Sequence, residues 1–257
     1  MNFLTQFHTD VGIKKDTNQD SLCIVEAETE KGKELLTVIC DGMGGLEKGE
    51  LASSVVINAF SDWFKTTFPA LISEDDYIMQ ICLSWQNLIN SLNTKILLYG
   101  KEKGIKLGTT ITALLFFDDG NFLIAHVGDS RVYRIYDNKI KQLTIDQTVV
   151  ERDVKRGLLK AEEADNDPRR SVLLQCVGAS EVIDIDFRYG TYSINECYLM
   201  CTDGFRHVIT ADEIKNALCS ENNNNETEMK GNLEYLVELN KNRLEKDNIS
   251  AILVKII

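Results

Sequence analysis

Residues 109–143 read TTITALLFFDDGNFLIAHVGDSRVYRIYDNKIKQL, and this stretch determines the fold class. Its β-branched, aromatic and aliphatic runs predict four strands, at 109–117, 122–127, 131–136 and 139–143. Only short turns join them, such as Asp118-Asp119-Gly120-Asn121 and Asp137-Asn138. Because parallel neighbours need crossovers of about a dozen residues or more, these strands must pair antiparallel.

Outward from this stretch, the chain mixes further strands with amphipathic helices. Strands are predicted at 3–8, 22–27, 35–40, 183–189, 198–202 and 249–256. Apolar residues recur at helical spacing from Leu51 and again after Ser73, which we interpret as a helix cap. The polar run at 221–226 is predicted to be a loop between two helices. We expect the aromatic residues of these helices to lie in the core.

The charged segment Thr148 to Arg170 contains few large apolar residues. Its helix-like pieces are broken at Gly157 and before Pro168. Two interpretations remain open, a mobile surface flap and an ordinary solvated helical connection.

Composition limits the class of protein. A chain of 257 residues with 44% hydrophobic content can bury a large core, and we expect one domain over residues 1–257. The net charge of -12 disfavours binding to nucleic acid or to an anionic membrane. Seven cysteines without a Cys-x-x-Cys pair indicate reduced, buried thiols. The first residues lack the pattern of a signal peptide, and the longest uncharged run, 77–94, is too polar to span a membrane, so we expect a cytoplasmic protein.

Five aspartates stand at the ends of apolar runs: Asp20, Asp41, Asp129, Asp203 and Asp247. Three of them adjoin glycine, which allows a backbone carbonyl to approach a ligand. Converging carboxylate and carbonyl oxygens are what a hard divalent cation requires. Each aspartate alone would be interpreted as a turn or cap residue, but together they predict a metal site for metal-assisted hydrolysis.

A series of motifs extends over residues 9–254: Thr9-Asp10-Val11-Gly12, Asn18-Gln19-Asp20-Ser21, Asp41-Gly42-Met43-Gly44-Gly45, Gly49-Glu50-Leu51-Ala52-Ser53, Gly108-Thr109-Thr110, residues 126–133, residues 143–148, Cys201-Thr202-Asp203-Gly204 and Asp247-Asn248-Ile249-Ser250. In this order they resemble the PPM family of metal-dependent protein phosphatases, also called type 2C serine/threonine phosphatases. The resemblance implies an α+β fold, a four-layer α/β/β/α sandwich with two central antiparallel sheets flanked by helices. It also implies a cleft at one end of the sandwich.

The resemblance further implies two Mn²⁺ or Mg²⁺ ions. Asp41 would bridge both ions, Asp203 and Asp247 would complete one coordination sphere, and the carbonyl of Gly42 would join the other. Asp20 would act through metal-bound water. Asp129, together with Asp203, matches positions that hold a third metal in many bacterial members, although it could instead cap a turn.

Several positions depart from the family pattern. Lys15 stands where many members have an arginine that clamps the substrate phosphate, so a phosphate contact is expected without the bidentate fork. Gln19 replaces a frequent glutamate, and Met43 stands where many eukaryotic members have a histidine proposed as general acid. In the flap, Asp167-Pro168 replaces the common His-Pro, and Arg169 and Arg170 are either aids to an acidic phosphopeptide or solvated side chains.

Three functions are therefore weighed. The first is a phosphoserine/phosphothreonine phosphatase in which a hydroxide held by two metals attacks phosphorus directly. The second is a non-catalytic module that binds a phosphoprotein or a kinase, and the third is a hydrolase of a small phosphorylated molecule. The metal aspartates favour the first, with Ser130 and His126 as structural residues. The resemblance to stand-alone bacterial members suggests phosphoproteins as substrates and a serine/threonine kinase as partner.

Overall fold

The computed structural model describes residues 2–43, 48–164 and 166–257, and within these ranges ten strands form two antiparallel five-stranded sheets. Across the first sheet the order is β1 (Phe3–Asp10), β10 (Ile249–Ile256), β9 (Cys197–Cys201), β6 (Arg131–Tyr136) and β7 (Lys139–Gln142). Across the second it is β2 (Asp20–Thr29), β3 (Gly32–Asp41), β4 (Ile111–Phe116), β5 (Asn121–Val127) and β8 (Asp186–Thr191). The predicted antiparallel pairing is confirmed for β4 with β5 and for β6 with β7. It was wrong for β5 and β6, which lie in different sheets, because the chain passes from one sheet to the other between them.

Helices cover the outer face of each sheet. The second sheet carries α1 (Gly49–Thr66), α2 (Phe68–Leu71) and α3 (Tyr77–Lys103), and the first carries α6 (Ala211–Leu218) and α7 (Glu226–Asn242). Two short helices, α4 (Val149–Lys155) and α5 (Ala161–Ala164), lie in the predicted flap. The four-layer sandwich is therefore confirmed. None of the described helices has the length and apolar character needed to cross a bilayer.

Strand alternation explains how one short run supplies two apolar layers. In β3, Leu36 and Val38 pack against α1 and α3, whereas Leu35 and Ile39 lie between the two sheets. Because both faces of this strand are buried, its central run 35–40 is apolar apart from Thr37 instead of alternating with polar residues. The predicted aromatic core is confirmed, with Trp85 of α3 fully buried in the helical layer that covers the second sheet. All seven cysteines are free.

Two local predictions were wrong. The second helix does not begin after Ser73: α3 begins at Tyr77 with Asp76 at its N-cap position. The short helix α2 fills the connection, and the Ser73 hydroxyl lies 3.5 Å from the carbonyl of Pro69. The strand predicted at 183–189 is shifted to Asp186–Thr191, because its register is set by pairing with β5. Such pairing is a long-range contact that the local pattern does not contain.

Glu34 is a buried carboxyl group in β3, with only 1% of its surface exposed. It accepts hydrogen bonds from the backbone N–H of Asp118 at 3.2 Å and from the Thr29 hydroxyl at 3.4 Å. Burial raises the pKa of Glu34 to about 7. The folded state therefore binds this proton more tightly than the unfolded state, so stability falls as the pH rises from the ordinary carboxyl range toward 7.

We expect Glu34→Gln to stabilise the protein by about 1 to 3 kcal/mol at pH 8 and not at pH 4, because the amide avoids burying a charge. Denaturant unfolding at the two pH values measures this difference. The matched control is Glu30→Gln, at an exposed position in the turn between β2 and β3. A stabilisation of equal size at both pH values would contradict the assignment.

Candidate metal centre

Asp20 and Asp41 lie opposite each other at one edge of the second sheet. β2 begins at Asp20, β3 ends at Asp41, and these two residues are direct cross-strand partners. Antiparallel pairing places the start of one strand beside the end of the next. The two carboxyl groups are therefore brought together by the register of a hairpin.

The first sheet supplies the other three aspartates in the same way. Asp203 follows β9, Asp247 precedes β10, and these strands pair antiparallel. Asp129 precedes β6, which pairs with the other side of β9. A cavity of about 470 Å³ is lined by Asp41, Asp129, Asp203 and Asp247. Four of the five predicted aspartates thus face one space, to which both sheets contribute.

Asp41 is held by its backbone. Its N–H donates to the Thr110 hydroxyl at 2.8 Å, and its carbonyl accepts from the Thr109 hydroxyl and the Thr110 N–H, both at 2.9 Å. The motif Gly108-Thr109-Thr110 therefore fixes the end of β3. The Asp41 side chain needs no hydrogen bond of its own for this positioning and remains available to the cavity.

The glycines beside two of the aspartates are required by close backbone approach. A Cβ on Gly42 would lie 2.4 Å from the carbonyl oxygen of Gln19, and one on Gly204 would lie 2.2 Å from that of Asn248. Both distances are far shorter than real carbon–oxygen contacts. The strand-end loops can therefore meet around the cavity only with glycine at these positions. Gly44 and Gly45, the last residues of the predicted motif, lie outside the described residues.

Asp20 lies behind the cavity and is not among the residues that line it. One of its oxygens accepts a hydrogen bond from the Thr202 hydroxyl at 3.0 Å. The other, Oδ1, is buried and has no hydrogen-bond partner among the described residues. This arrangement is compatible with the predicted indirect role of Asp20.

The cluster concentrates negative charge in a buried place. Burial, followed by the charges of Asp20 and Asp203, raises the pKa of Asp41 well above its usual range. Burial and the charge of Asp203 raise the pKa of Asp129 to about 7. For Asp20, burial outweighs the hydrogen bonds from Ser250 and Thr202 and raises the pKa to about 7. The site is therefore short of positive charge.

Lys15, for which the sequence predicted a contact with the substrate phosphate, lies beside this cluster. Its Nζ lies 2.9 Å from Oδ1 of Asp247. Burial disfavours the charged form of Lys15, but the hydrogen bond and attraction of Asp247 outweigh it and raise the pKa. Asn248 holds the Lys15 loop in place: its side chain donates to the carbonyls of Val11 and Thr17 and accepts from the N–H of Gln19.

Sequence reasoning missed two basic residues next to the aspartates. Arg206 donates to the backbone carbonyl of Asp129 at 3.1 Å and lies 3.9 Å from its carboxylate. His207 Nε2 lies 3.3 Å from Asp203, and its Nδ1 lies 3.5 Å from Glu245. Both lie within three residues of Gly204 in the Asp203-Gly204 motif, and that closeness in sequence was the available signal.

Most of the residues that line the cavity besides the aspartates were also missed. These lining residues include Met43 together with residues that follow the flap, Ser171, Leu173, Leu174, Gln175, Cys176, Ala179 and Ser180. Of these, only Met43 was singled out in the sequence. Ser130 and His126 lie in the core instead: the Ser130 hydroxyl is 3.0 Å from that of Thr110, and His126 Nδ1 is 2.9 Å from that of Thr112.

The residues suit divalent cations that keep several bound waters better than cations coordinated by protein groups alone. Within residues 2–43, 48–164 and 166–257, no group of three or more His, Cys, Asp or Glu side chains is placed to hold a metal by itself. Mg²⁺ and Mn²⁺, however, commonly retain several waters and use one or two carboxylates. Bound cations would stabilise the charged form of these carboxyl groups, whose pKa values are raised without them. Waters on the cations would donate hydrogen bonds to the unpartnered oxygen of Asp20.

The chain is similar in sequence and in fold to known serine/threonine phosphatases. The serine/threonine phosphatase stp of Listeria innocua is 30% identical over 219 residues, which cover 84% of this chain and 83% of that protein. The solved serine/threonine phosphatase of S. agalactiae superposes with a TM-score of 0.85 at 29% identity, with all of both chains covered. The catalytic domain of the phosphatase PstP, solved with two manganese ions, shares the fold, with a TM-score of 0.77, 24% identity and 99% of each chain covered.

The family match extends over most of the sequence. Residues 12–223 match the family described as protein phosphatase 2C. This range includes Asp20, Asp41, Asp129 and Asp203. The chain therefore belongs to the protein phosphatase 2C family, as its motifs indicated.

Proposed function

We propose that this protein hydrolyses phosphoserine and phosphothreonine residues of phosphoproteins in a reaction that depends on divalent metal ions. The observation that carries the proposal is the convergence of Asp41, Asp129, Asp203 and Asp247 on one cavity beside an ammonium group. The related proteins of Listeria and S. agalactiae are named serine/threonine phosphatases, which supports a phosphoprotein substrate. Such a substrate implies a serine/threonine kinase as the opposing enzyme.

Asp41, Asp203 and Asp247, with the carbonyl of Gly42, would hold two Mn²⁺ or Mg²⁺ ions, and Asp129 would help to hold a third. Bound there, the ions would lower the pKa of water and neutralise the phosphate oxygens. The PstP domain that shares this fold was solved with two manganese ions. Asp20 would accept hydrogen bonds from coordinated waters through Oδ1, its unpartnered oxygen.

The remaining residues would bind and orient the substrate. Lys15 would contact a phosphate oxygen through its ammonium group, which lies 2.9 Å from Asp247, a residue that lines the cavity. Met43 lines the opposite side and carries no proton to give to the leaving group. Leaving-group protonation would therefore come from water, and Thr109 and Thr110 would act only through the position of Asp41.

The test is phosphate release from a phosphothreonine peptide by the purified protein, with Mn²⁺, with Mg²⁺ and with EDTA. We expect release with either metal and none with EDTA, and we expect Asp247→Asn to abolish it. Binding of the phosphopeptide without any turnover would instead support the regulatory module. Turnover of small phosphorylated molecules alone would support the third function weighed above.

Lys15→Gln is expected to raise the KM for the phosphopeptide about tenfold with a smaller effect on kcat, because a charge-assisted contact to the phosphate is lost. Lys15→Arg should restore tight binding, since guanidinium can make two parallel contacts. Steady-state kinetics at saturating Mn²⁺ separates the two parameters. An unchanged KM in Lys15→Gln would show that Lys15 serves only as the partner of Asp247.

A further inference from the structure

A cavity of about 680 Å³ lies between the flap and the start of α6, and we call it the flap cavity. Three arginines line it: Arg131 from β6, Arg170 from the end of the flap, and Arg206. The carboxylates lining its described part are Asp146 and Glu151. This arginine cluster stands out in a chain whose net charge is -12.

Two of these arginines share one carboxylate. Arg131 donates to both oxygens of Asp146, at 2.8 Å and 2.7 Å, and Arg206 donates to the same group at 3.1 Å. Asp146 can neutralise only one of the two guanidinium charges. The nearest other carboxylate to Arg206 is that of Asp129, which belongs to the metal centre. Once that group binds a cation, an excess positive charge remains at the wall of the flap cavity.

The two consecutive arginines at the end of the flap, Arg169 and Arg170, have different surroundings. Arg169 is held in ion pairs with Asp153 at 3.0 Å and Asp167 at 2.8 Å, and so it braces the flap. The guanidinium of Arg170 has no ion-pair partner among the described residues and lines the flap cavity. Arg170 is therefore the member of the pair that can meet an external anion.

The flap cavity adjoins the metal centre. Arg170 lines the former, and the next residue, Ser171, lines the latter. Arg206 bridges the two from the other side, since it lines the flap cavity and donates to the carbonyl of Asp129. An extended peptide advances about 3.3 Å per residue, so a substrate with its phosphate at the metals can reach the flap cavity with a neighbouring side chain.

We propose that the flap cavity binds an aspartate or glutamate side chain of the substrate, close in sequence to the phosphorylated residue. The inference rests on the proposed phosphatase function. Arg170 and Arg206 would bind the carboxylate, because guanidinium groups match its planar geometry. Val150, Val154 and Ile214, which also line the flap cavity, would contact the methylene groups.

The test uses a phosphothreonine peptide flanked by alanines and derivatives in which one alanine at a time is replaced by Asp. At one or two positions we expect kcat/KM to rise roughly fivefold, and the gain should shrink as the salt concentration rises. p-Nitrophenyl phosphate, which has no flanking residue, reports the basal reaction separately. No hydrolysis of this compound or of any peptide would reject the phosphatase itself, whereas hydrolysis without an Asp preference would reject only the flap-cavity proposal.

Two variants locate the effect. In Arg170→Gln and in Arg206→Gln, the ratio of kcat/KM for the Asp peptide to that for the alanine peptide should fall toward one. The control is Arg188→Gln, which removes a charge of the same sign from a residue that pairs with Asp186 on β8 and does not line the flap cavity. Circular dichroism identifies any variant that fails to fold. An Asp preference that survives in both folded variants, or that is lost equally in the control, would overturn the proposal.

Discussion

Asp41→Asn is expected to lower metal-dependent phosphate release at least about 100-fold, because metal-ion catalysis contributes several kcal/mol and each 1.36 kcal/mol is a factor of ten. The fold should persist, since Asp41 is anchored through its backbone and not through its carboxylate. Phosphate release at saturating Mn²⁺ and circular dichroism measure the two outcomes.

The same substitution should raise the thermal midpoint of the metal-free protein. It removes a carboxyl group whose ionisation is disfavoured by burial and by the neighbouring aspartates, which raise its pKa, so the folded state no longer bears that cost. Asp62→Asn on the exposed part of α1 is the matched control and should change neither activity nor midpoint. Full activity in Asp41→Asn would remove this residue from the proposed metal ligands.

Gly204→Ala is the second substitution with a large expected effect. Its Cβ would lie 2.2 Å from the carbonyl oxygen of Asn248, so the loops that carry Asp203 and Asp247 must separate. Overpacking of this kind costs about 1 to 3 kcal/mol of stability. A displacement of catalytic groups by about 1 Å can cost a factor of about 100 in rate. We therefore expect loss of both stability and activity.

Gly231→Ala is the matched control for this prediction. Gly231 lies within α7, and a Cβ there would meet no atom within 4 Å apart from adjacent residues and the nearby backbone of its own helix. Alanine is favoured over glycine inside a helix by up to about 1 kcal/mol, so this variant should be slightly stabilised and fully active. Denaturant unfolding compares the stability of the two variants, Gly204→Ala and Gly231→Ala, and phosphate release compares their activity. Normal stability of Gly204→Ala would show that the loop carrying Asn248 can move away from residue 204 without loss of stability.

The sequence contained enough to predict the sandwich and the convergence of its aspartates. Short β-branched and aliphatic runs, short turns and the strand-end positions of Asp41, Asp203 and Asp247 are local features, and local features are what a sequence pattern carries. The short turns predicted antiparallel pairing, and the resemblance implied the division into two sheets. The start of α3 and the position of β8 were predicted wrongly, because α2 and the register with β5 decided them.

The support around the aspartates was not predicted. Asn248 lies 229 residues from Gln19, yet its side chain accepts the N–H of that residue at 2.9 Å. Nothing in the local pattern distinguishes such an asparagine from a turn residue. Arg206 is placed at the site by its hydrogen bonds to Asp129 and Asp146, which come from other parts of the chain. Contacts of this kind depend on tertiary structure and require coordinates to be seen.

The pairing of β1 with β10 has a consequence for biosynthesis. Among the described strands, β10 is the sole neighbour of β1 in the first sheet, so β1 has no strand to pair with until β10 has been translated. A ribosome-bound chain that has emerged as far as α7 carries Asp41 and Asp203 but has neither Asp247 nor a partner for β1. Such distant contacts slow folding. The cavity lined by these aspartates would therefore be complete only after β10 has been translated and has paired.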